Sequence, residues 1–230
     1  MAIRPIFSPK LDAIGVEEKM IDFKWHPGMS ASQKKKSIIE LHLVATQVGI
    51  KNILEISSKS EIDLGIQLSA FNLLVTTKKH KKKFTVETAF QGSKVFENGG
   101  PYQDLLGLDS RAAKKDIRLK ESGNLTGFQF FNFNFPLIPR TYFYDWLYIN
   151  ALVQNNSLSK QVLSYDSFSD IEFNPKKSIN CQAHSVALYL SLRNQSLLET
   201  ALKSPQQFLD TCRNHYQSQD RNIAIQRSIL

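Results

Sequence analysis

Cysteine is scarce in this sequence. Only Cys181 and Cys212 occur in 230 residues, and neither belongs to a C-x-x-C pair. A zinc ribbon or a disulfide framework therefore has no basis, and both thiols are read as reduced and structural. The five histidines, His26, His42, His80, His184 and His215, are scattered, with no H-E-x-x-H or H-x-E pattern. That removes the usual signature of a metal enzyme, so neither metal nor cofactor is expected. Apolar runs of about 18 or more residues are also missing. The opening "MAIRPIFSPKLD" lacks the apolar block of a secretion signal, and the expectation is a cytoplasmic protein with no membrane contact.

What is present is ordinary for a chain that folds: 42% hydrophobic and 22% charged residues, enough for one compact domain with a substantial core. The balance of charge is less ordinary. With 29 Lys and Arg against 21 Asp and Glu, the formal net charge is +8, which favours phosphate-bearing partners such as nucleic acid or a nucleotide without selecting one.

Along the chain, the first thirty residues read as a strand or extended arm ending at Pro27-Gly28, with Ser30 or Ser32 placed to cap a helix. Ile38, Leu41, Val44 or Ala45, and Val48 then recur at helical spacing until Gly49 stops the run. Ile53, Leu54 and Ile56 predict a short buried strand leading to a polar turn at Ser57 to Ser60, and "LGIQLSAFNLLVTT" is ambiguous between strand and loop. Lys78, Lys79, His80, Lys81, Lys82 and Lys83 form a basic run, read either as a solvated loop or as a phosphate-contacting one. Beyond Gly99-Gly100-Pro101, "QDLLGLDSRAAKKDIRLK" reads as a broken helix. In "FQFFNFNFPLIPR", Phe131, Phe133 and Phe135 alternate with Asn132 and Asn134 as in one strand, either core or a base-stacking platform. "TYFYDWLYINALVQN" predicts a helix, and Ala183, Val186, Ala187 and Leu190 predict another. Asn180 and Gln182 are read as caps of that last helix. The stretch 204–230 is read as a polar surface helix, and 1–50 as an extension of the main domain.

One stretch carries chemistry. In "TVETAFQGSKVFENGG", Glu87, Gln91 and Lys94 stand at i, i+4 and i+7, one stripe of a helix. Val86, Ala89, Val95 and Phe96 make the other faces apolar, so the acid, amide and cation are expected to line a cavity. The bland alternative is a structural Glu87–Lys94 pairing. A carboxylate in a sheltered site suits cleavage of a C–N glycosidic bond, because positive charge builds at the anomeric carbon and a proton must leave the attacking water.

"VETAFQGSK" resembles the signature helix of the NADAR family, with Glu87, Phe90, Gln91 and Lys94 matching in order. "LGIQLSAFNL" is similar to the family's preceding segment at Leu68, Ser69 and Phe71, with Ala70 in place of asparagine and Asn72 as its substitute. "AKKDIR" matches at Ala113, Lys114 and Arg118. The family's late Trp-Gly segment has no counterpart, and "SDIEFNPKKSINCQ" is expected to take its place through Asp170, Glu172 or Asn174. The resemblance is strongest over 53–120. It implies a helix-rich α+β NADAR fold and an N-glycosidase, here of the branch paired with DarT-type toxins that ADP-ribosylate guanine in DNA. The implied catalytic groups are Glu87 and Asp170. The substrate contacts expected are Ser69, Phe71, Asn72, Phe90, Gln91, Lys94, Lys114 and Arg118, together with Ser58 and Lys59, read equally as a polar turn, and Trp146, read otherwise as a packing residue. The implied partners are ADP-ribosylated DNA, in single strands, with ADP-ribose as product, and a cognate ADP-ribosyltransferase toxin. Two alternatives remain open: hydrolysis of a small phosphoribosyl-amine, and non-catalytic binding of nucleic acid or toxin.

Overall fold

The first strand holds the fold together by sending alternate side chains to opposite faces. In the computed structural model, which describes residues 1–28, 30–77 and 79–219, β1 (Ala2–Pro9) pairs antiparallel with β2 (Val16–Phe23), running from Ala2 opposite Phe23 to Pro9 opposite Val16. On its other edge β1 meets β9 (Ser167–Ser169), which pairs in parallel with β3 (Ile53–Glu55), giving the order β2-β1-β9-β3. Ile6 points to one face and Phe7 to the other, as strand geometry requires. Ile6, Ile21 and Phe23 are covered by Ile38, Leu41 and Ala45 of α1 (Ala31–Gln47). Phe7 and Phe168 face the larger core. The first fifty residues are therefore not an appendage: β1 is an interior strand and α1 closes one side of the sheet.

Helix α1 starts where Ser30 accepts a hydrogen bond from the Gln33 amide. On the opposite side lie α6 (Tyr142–Gln154) and α8 (Gln182–Asn194). Ten of the thirteen residues of α6 are buried, as expected of a helix apolar on every side. The segment left ambiguous in the sequence contains a short helix, α2 (Asp63–Gln67), before β4 (Leu74–Thr76). Gly65 is required there, because a Cβ would lie 2.0 Å from the Glu55 carbonyl oxygen. Strand β4 pairs with β5 (Lys83–Thr85), and the basic run occupies the turn between them, with Lys78 outside the described residues.

Helix α3 (Val86–Gly92) follows directly, with Thr85 as its cap. It ends before Lys94, which begins β6 (Lys94–Phe96), so the three polar residues do not lie on one helical stripe. The expected broken helix is a 3-10 turn (Gln103–Gly107) followed by α4 (Ser110–Lys115) and α5 (Arg118–Glu121). The phenylalanine-rich segment is a hairpin rather than one strand: β7 (Leu125–Phe130) joins β6 on one edge and β8 (Phe133–Phe135) on the other. Phe131 turns the chain at φ 51°, which breaks the alternation and leaves Phe131 and Phe133 exposed while Phe130 and Phe135 are buried.

After α7 (Asn156–Gln161), β9 and α8, the described residues continue through α9 (Leu198–Ala201), α10 (Pro205–Thr211) and α11 (Arg213–Ser218). This tail is not a surface helix over its described part: Phe208, Cys212, His215 and Tyr216 are buried. Residues 220–230 of the expected tail lie outside the described residues. The result is a helix-rich α+β fold, and no helix among the described residues is long and apolar enough to cross a membrane.

Candidate active site

Helix α3 is wholly buried and carries three polar side chains, Glu87, Thr88 and Gln91, among apolar ones. Its first turn is anchored by the Glu87 amide, which donates to the Ala70 carbonyl at 2.9 Å. Glu87 and Gln91 are each only 6% exposed, and both open onto a cavity of about 570 Å³. Gln91 Nε2 donates to Glu87 Oε1 at 2.9 Å, and Lys114 Nζ lies 3.8 Å from the same oxygen. Because an ionised carboxylate only accepts, this bond fixes the orientation of the Gln91 amide. Its Oε1 is then buried with no hydrogen-bond partner, as is Asn180 Oδ1 on another part of the wall. Two orphaned acceptors around one hollow are groups that a ligand bringing donors would satisfy.

Cations surround the acid. Lys94 Nζ sits 5.1 Å above the Phe90 ring and Lys114 Nζ sits 5.1 Å above the Phe71 ring. Burial lowers the Lys94 pKa, the negative Glu87 raises it, and Lys114 lowers it further. Arg140 and Lys177 also line the hollow. The wall is completed by Ser57, Ser58, Ser69, Phe128, Tyr144 and the loop after β9.

That loop places a second carboxylate at the cavity. Asp170 is 8% exposed; its Oδ1 accepts from the Glu172 amide at 3.0 Å and its Oδ2 faces Cys181 Sγ at 4.0 Å. Directly behind it, Glu55 accepts from Ser169 Oγ at 2.5 Å and from the Ile171 amide at 2.8 Å. Glu55 thus grips the chain on both sides of Asp170, and His42 Nε2 supports Ser169 from 2.8 Å. Burial, and then the charge of Glu55, push the Asp170 carboxyl well above the usual carboxylate range. Burial raises Glu55 too, but the donors from Ile171, Ser169 and Ser57 favour its ionised form. Of this buried pair, Asp170 is therefore the member whose surroundings more strongly favour the protonated form.

Gln182 joins two segments of the cavity wall. Its Oε1 accepts from the Ala70 amide at 2.7 Å and its Nε2 donates to the Ile56 carbonyl at 2.6 Å. It does not cap α8; neither does Asn180, because the capping position belongs to Cys181, which makes no side-chain cap. Gln182→Leu should cost about 2 kcal/mol of stability, since it strands one buried donor and one buried acceptor of the backbone. Urea unfolding checks this, and a midpoint equal to that of the parent protein would remove Gln182 from this role.

Nine of the thirteen residues singled out from the sequence line the cavity: Ser58, Ser69, Phe71, Glu87, Phe90, Gln91, Lys94, Lys114 and Asp170. Four do not. Arg118 is held on the surface by Asp104 and Asp116, at 2.6 and 2.9 Å, and stacks on Tyr102. Asn72 is exposed and its amide donates to the Ile66 carbonyl. Lys59 stands in the turn after β3, its amide bonded to Ser57 Oγ. Trp146 is packed in the core against Phe130, Phe133 and Phe135. Conversely, the sequence reading missed Tyr144, Arg140 and Lys177. Tyr144 was one aromatic in a helix rich in them, and no motif marked the other two.

A family model described as "DarT1-associated NADAR antitoxin" matches residues 2–222, nearly the whole chain. The chain belongs to this family. No curated protein matches it. NADAR proteins are generally N-glycosidase-like, and the family's association is with the DarT1 toxin. The match extends well beyond 53–120, so β1, α1 and the C-terminal helices are part of what defines this NADAR antitoxin.

Proposed function

We propose that this NADAR antitoxin hydrolyses the N-glycosidic bond between ADP-ribose and guanine in ADP-ribosylated DNA, without a metal ion. The reading rests on one observation: a carboxylate 6% exposed in a hollow of nucleotide-fitting volume, beside cations and two unpartnered acceptors. As the C1′–N bond breaks, its electron pair leaves with the base and positive charge spreads over C1′ and the ring oxygen. Glu87 stabilises that charge and takes the proton of the water that attacks C1′. Its Oε1 is engaged by Gln91 and Lys114, while Oε2 takes no hydrogen bond from the described residues.

The other lining groups divide the remaining work. Lys94 and Lys114 meet the diphosphate, and the free oxygens of Gln91 and Asn180 accept from ribose hydroxyls or an exocyclic amine. Phe71, only partly buried, offers an aromatic surface to a base, while Phe90 is packed against Phe128, Phe143 and Tyr144 and backs the wall; Ser58 adds a hydroxyl at the rim and Ser69 one deeper in. Asp170, holding its proton, delivers it to the departing guanine nitrogen. An acid that works protonated fails as pH rises through its pKa, so kcat/KM should decline on the alkaline side. Asp170→Asn should flatten that decline and lower the plateau about a hundredfold. An alkaline limb unaltered in the variant would assign it to another group.

The direct test is incubation with a single-stranded oligonucleotide carrying one ADP-ribosylated guanine. Free ADP-ribose and the restored oligonucleotide are the expected products at sub-stoichiometric protein. No release at excess protein would refute the proposal, and release only from a small phosphoribosyl-amine would move the substrate class.

A further inference from the structure

The turn of the β7–β8 hairpin has no explanation in packing alone. Phe131 adopts φ 51°, in the left-handed region that suits glycine or asparagine and strains a bulky residue. Phe131 and Phe133 are 43% and 47% exposed, and Asn132 and Asn134 are exposed with them. Yet neither ring is loose. Phe131 leans on Phe130, with ring centroids 4.7 Å apart, and on Phe84 at 6.3 Å, while Phe133 rests on Trp146 at 6.0 Å. Two aromatic rings are thus presented to solvent on a rigid aromatic support, so a flat partner stacking on them immobilises little side chain.

Phe84 ties this tip to a second feature. It lies in β5; the β4–β5 turn carries Lys79, Lys81 and Lys82, and Lys83 opens the strand, all four exposed. None of these four is ion-paired among the described residues. The hairpin also reaches the active site, because Leu125 and Phe128 of β7 line the cavity. Exposed rings next to unpaired cations, on an element that leads into the hollow, match a strand with flat bases and a phosphate backbone. Duplex DNA hides its base faces, and an apolar protein surface would leave the lysines unanswered.

We infer that the tip of the β7–β8 hairpin and the lysine-bearing β4–β5 turn form a docking surface for single-stranded DNA, outside the cavity that takes the modified nucleotide. This rests on the reading of the cavity as acting on DNA-borne ADP-ribose, but binding is tested without catalysis. A fluorescent, unmodified single-stranded oligonucleotide is titrated by anisotropy across a salt series, with the same sequence as a duplex for comparison. Wild-type protein should prefer the single strand. The pair Phe131→Asn and Phe133→Ser should weaken that binding about tenfold or more, and Phe131→Asn alone, which keeps a residue suited to the turn, should do so in part while melting as a folded protein. Lys81→Ala with Lys82→Ala should reduce the slope of log affinity against log salt by about 1.4.

Variants that bind the single strand as tightly as wild type would overturn the inference. So would loss of binding to purified DarT1 toxin with DNA binding intact, which would make the tip a protein interface. A protein that binds the strand through these rings yet releases no ADP-ribose would support the surface while rejecting the glycosidase reading.

Discussion

Glu87→Gln should lower ADP-ribose release by about a thousandfold and leave the protein folded. The amide has the volume of the acid, and its oxygen can still accept from Gln91 Nε2, the contact now made at 2.9 Å. What disappears is the negative charge that steadies the sugar cation and the base that receives the proton of water. Lys94 feels the change as well, because Glu87 opposes the lowering of its pKa by burial. In cells making the toxin, the variant should fail to restore growth although it accumulates normally. A protein that neutralises the toxin by contact would instead keep protecting, so growth equal to wild type would end the enzymatic account.

Asp145→Ala should destabilise the fold by about 3–5 kcal/mol, the typical loss when one partner of a buried charged network is removed. Asp145 is 1% exposed and accepts from Ser185 Oγ at 2.7 Å, His184 Nδ1 at 3.2 Å and the Tyr216 hydroxyl at 3.3 Å. Gln219 Nε2 contacts Nε2 of both His184 and His215, at 2.7 and 2.8 Å, and the two imidazoles stack at 5.3 Å. This network ties α11 to α6 and α8. Burial by itself would raise the Asp145 pKa, but His184 and Ser185 outweigh it and hold the carboxyl below its ordinary value. A depressed folded pKa contributes stability above the unfolded value of about 3.9, and that contribution is lost as pH falls through the folded one. Urea unfolding at neutral pH and again near pH 3 measures both effects. A loss under about 1 kcal/mol at neutral pH would mean that the network contributes no more than an exposed pair.

The segments that could be read in the chain were those with a strong local rhythm. The helices α1, α6 and α8 follow apolar spacing, and Ser30 caps α1 as its residue type allows. The hairpin at 125–135 escaped because its turn carries Phe131, where a sequence signal would need glycine or asparagine. The tail at 205–218 looked polar because few of its residues, Phe208, Leu209, Cys212, His215 and Tyr216, meet the core. Lys94 reached the cavity by a different route from the one its spacing suggested. It leaves α3, enters β6, and returns beside Glu87 because β6 and α3 flank the same hollow.

From the sequence alone came the absence of a metal motif, the basic balance of charge, and the acid, amide and cation of "VETAFQGSK", since composition and short-range spacing need no partner to be read. Tertiary structure alone put Glu55 behind Asp170, drew Arg118 away to Asp104 and Asp116, and left two acceptors open on the wall. These relations join residues up to 116 positions apart in the chain. They depend on which carboxylate meets donors and which meets apolar walls, and that environment exists only once the chain has packed.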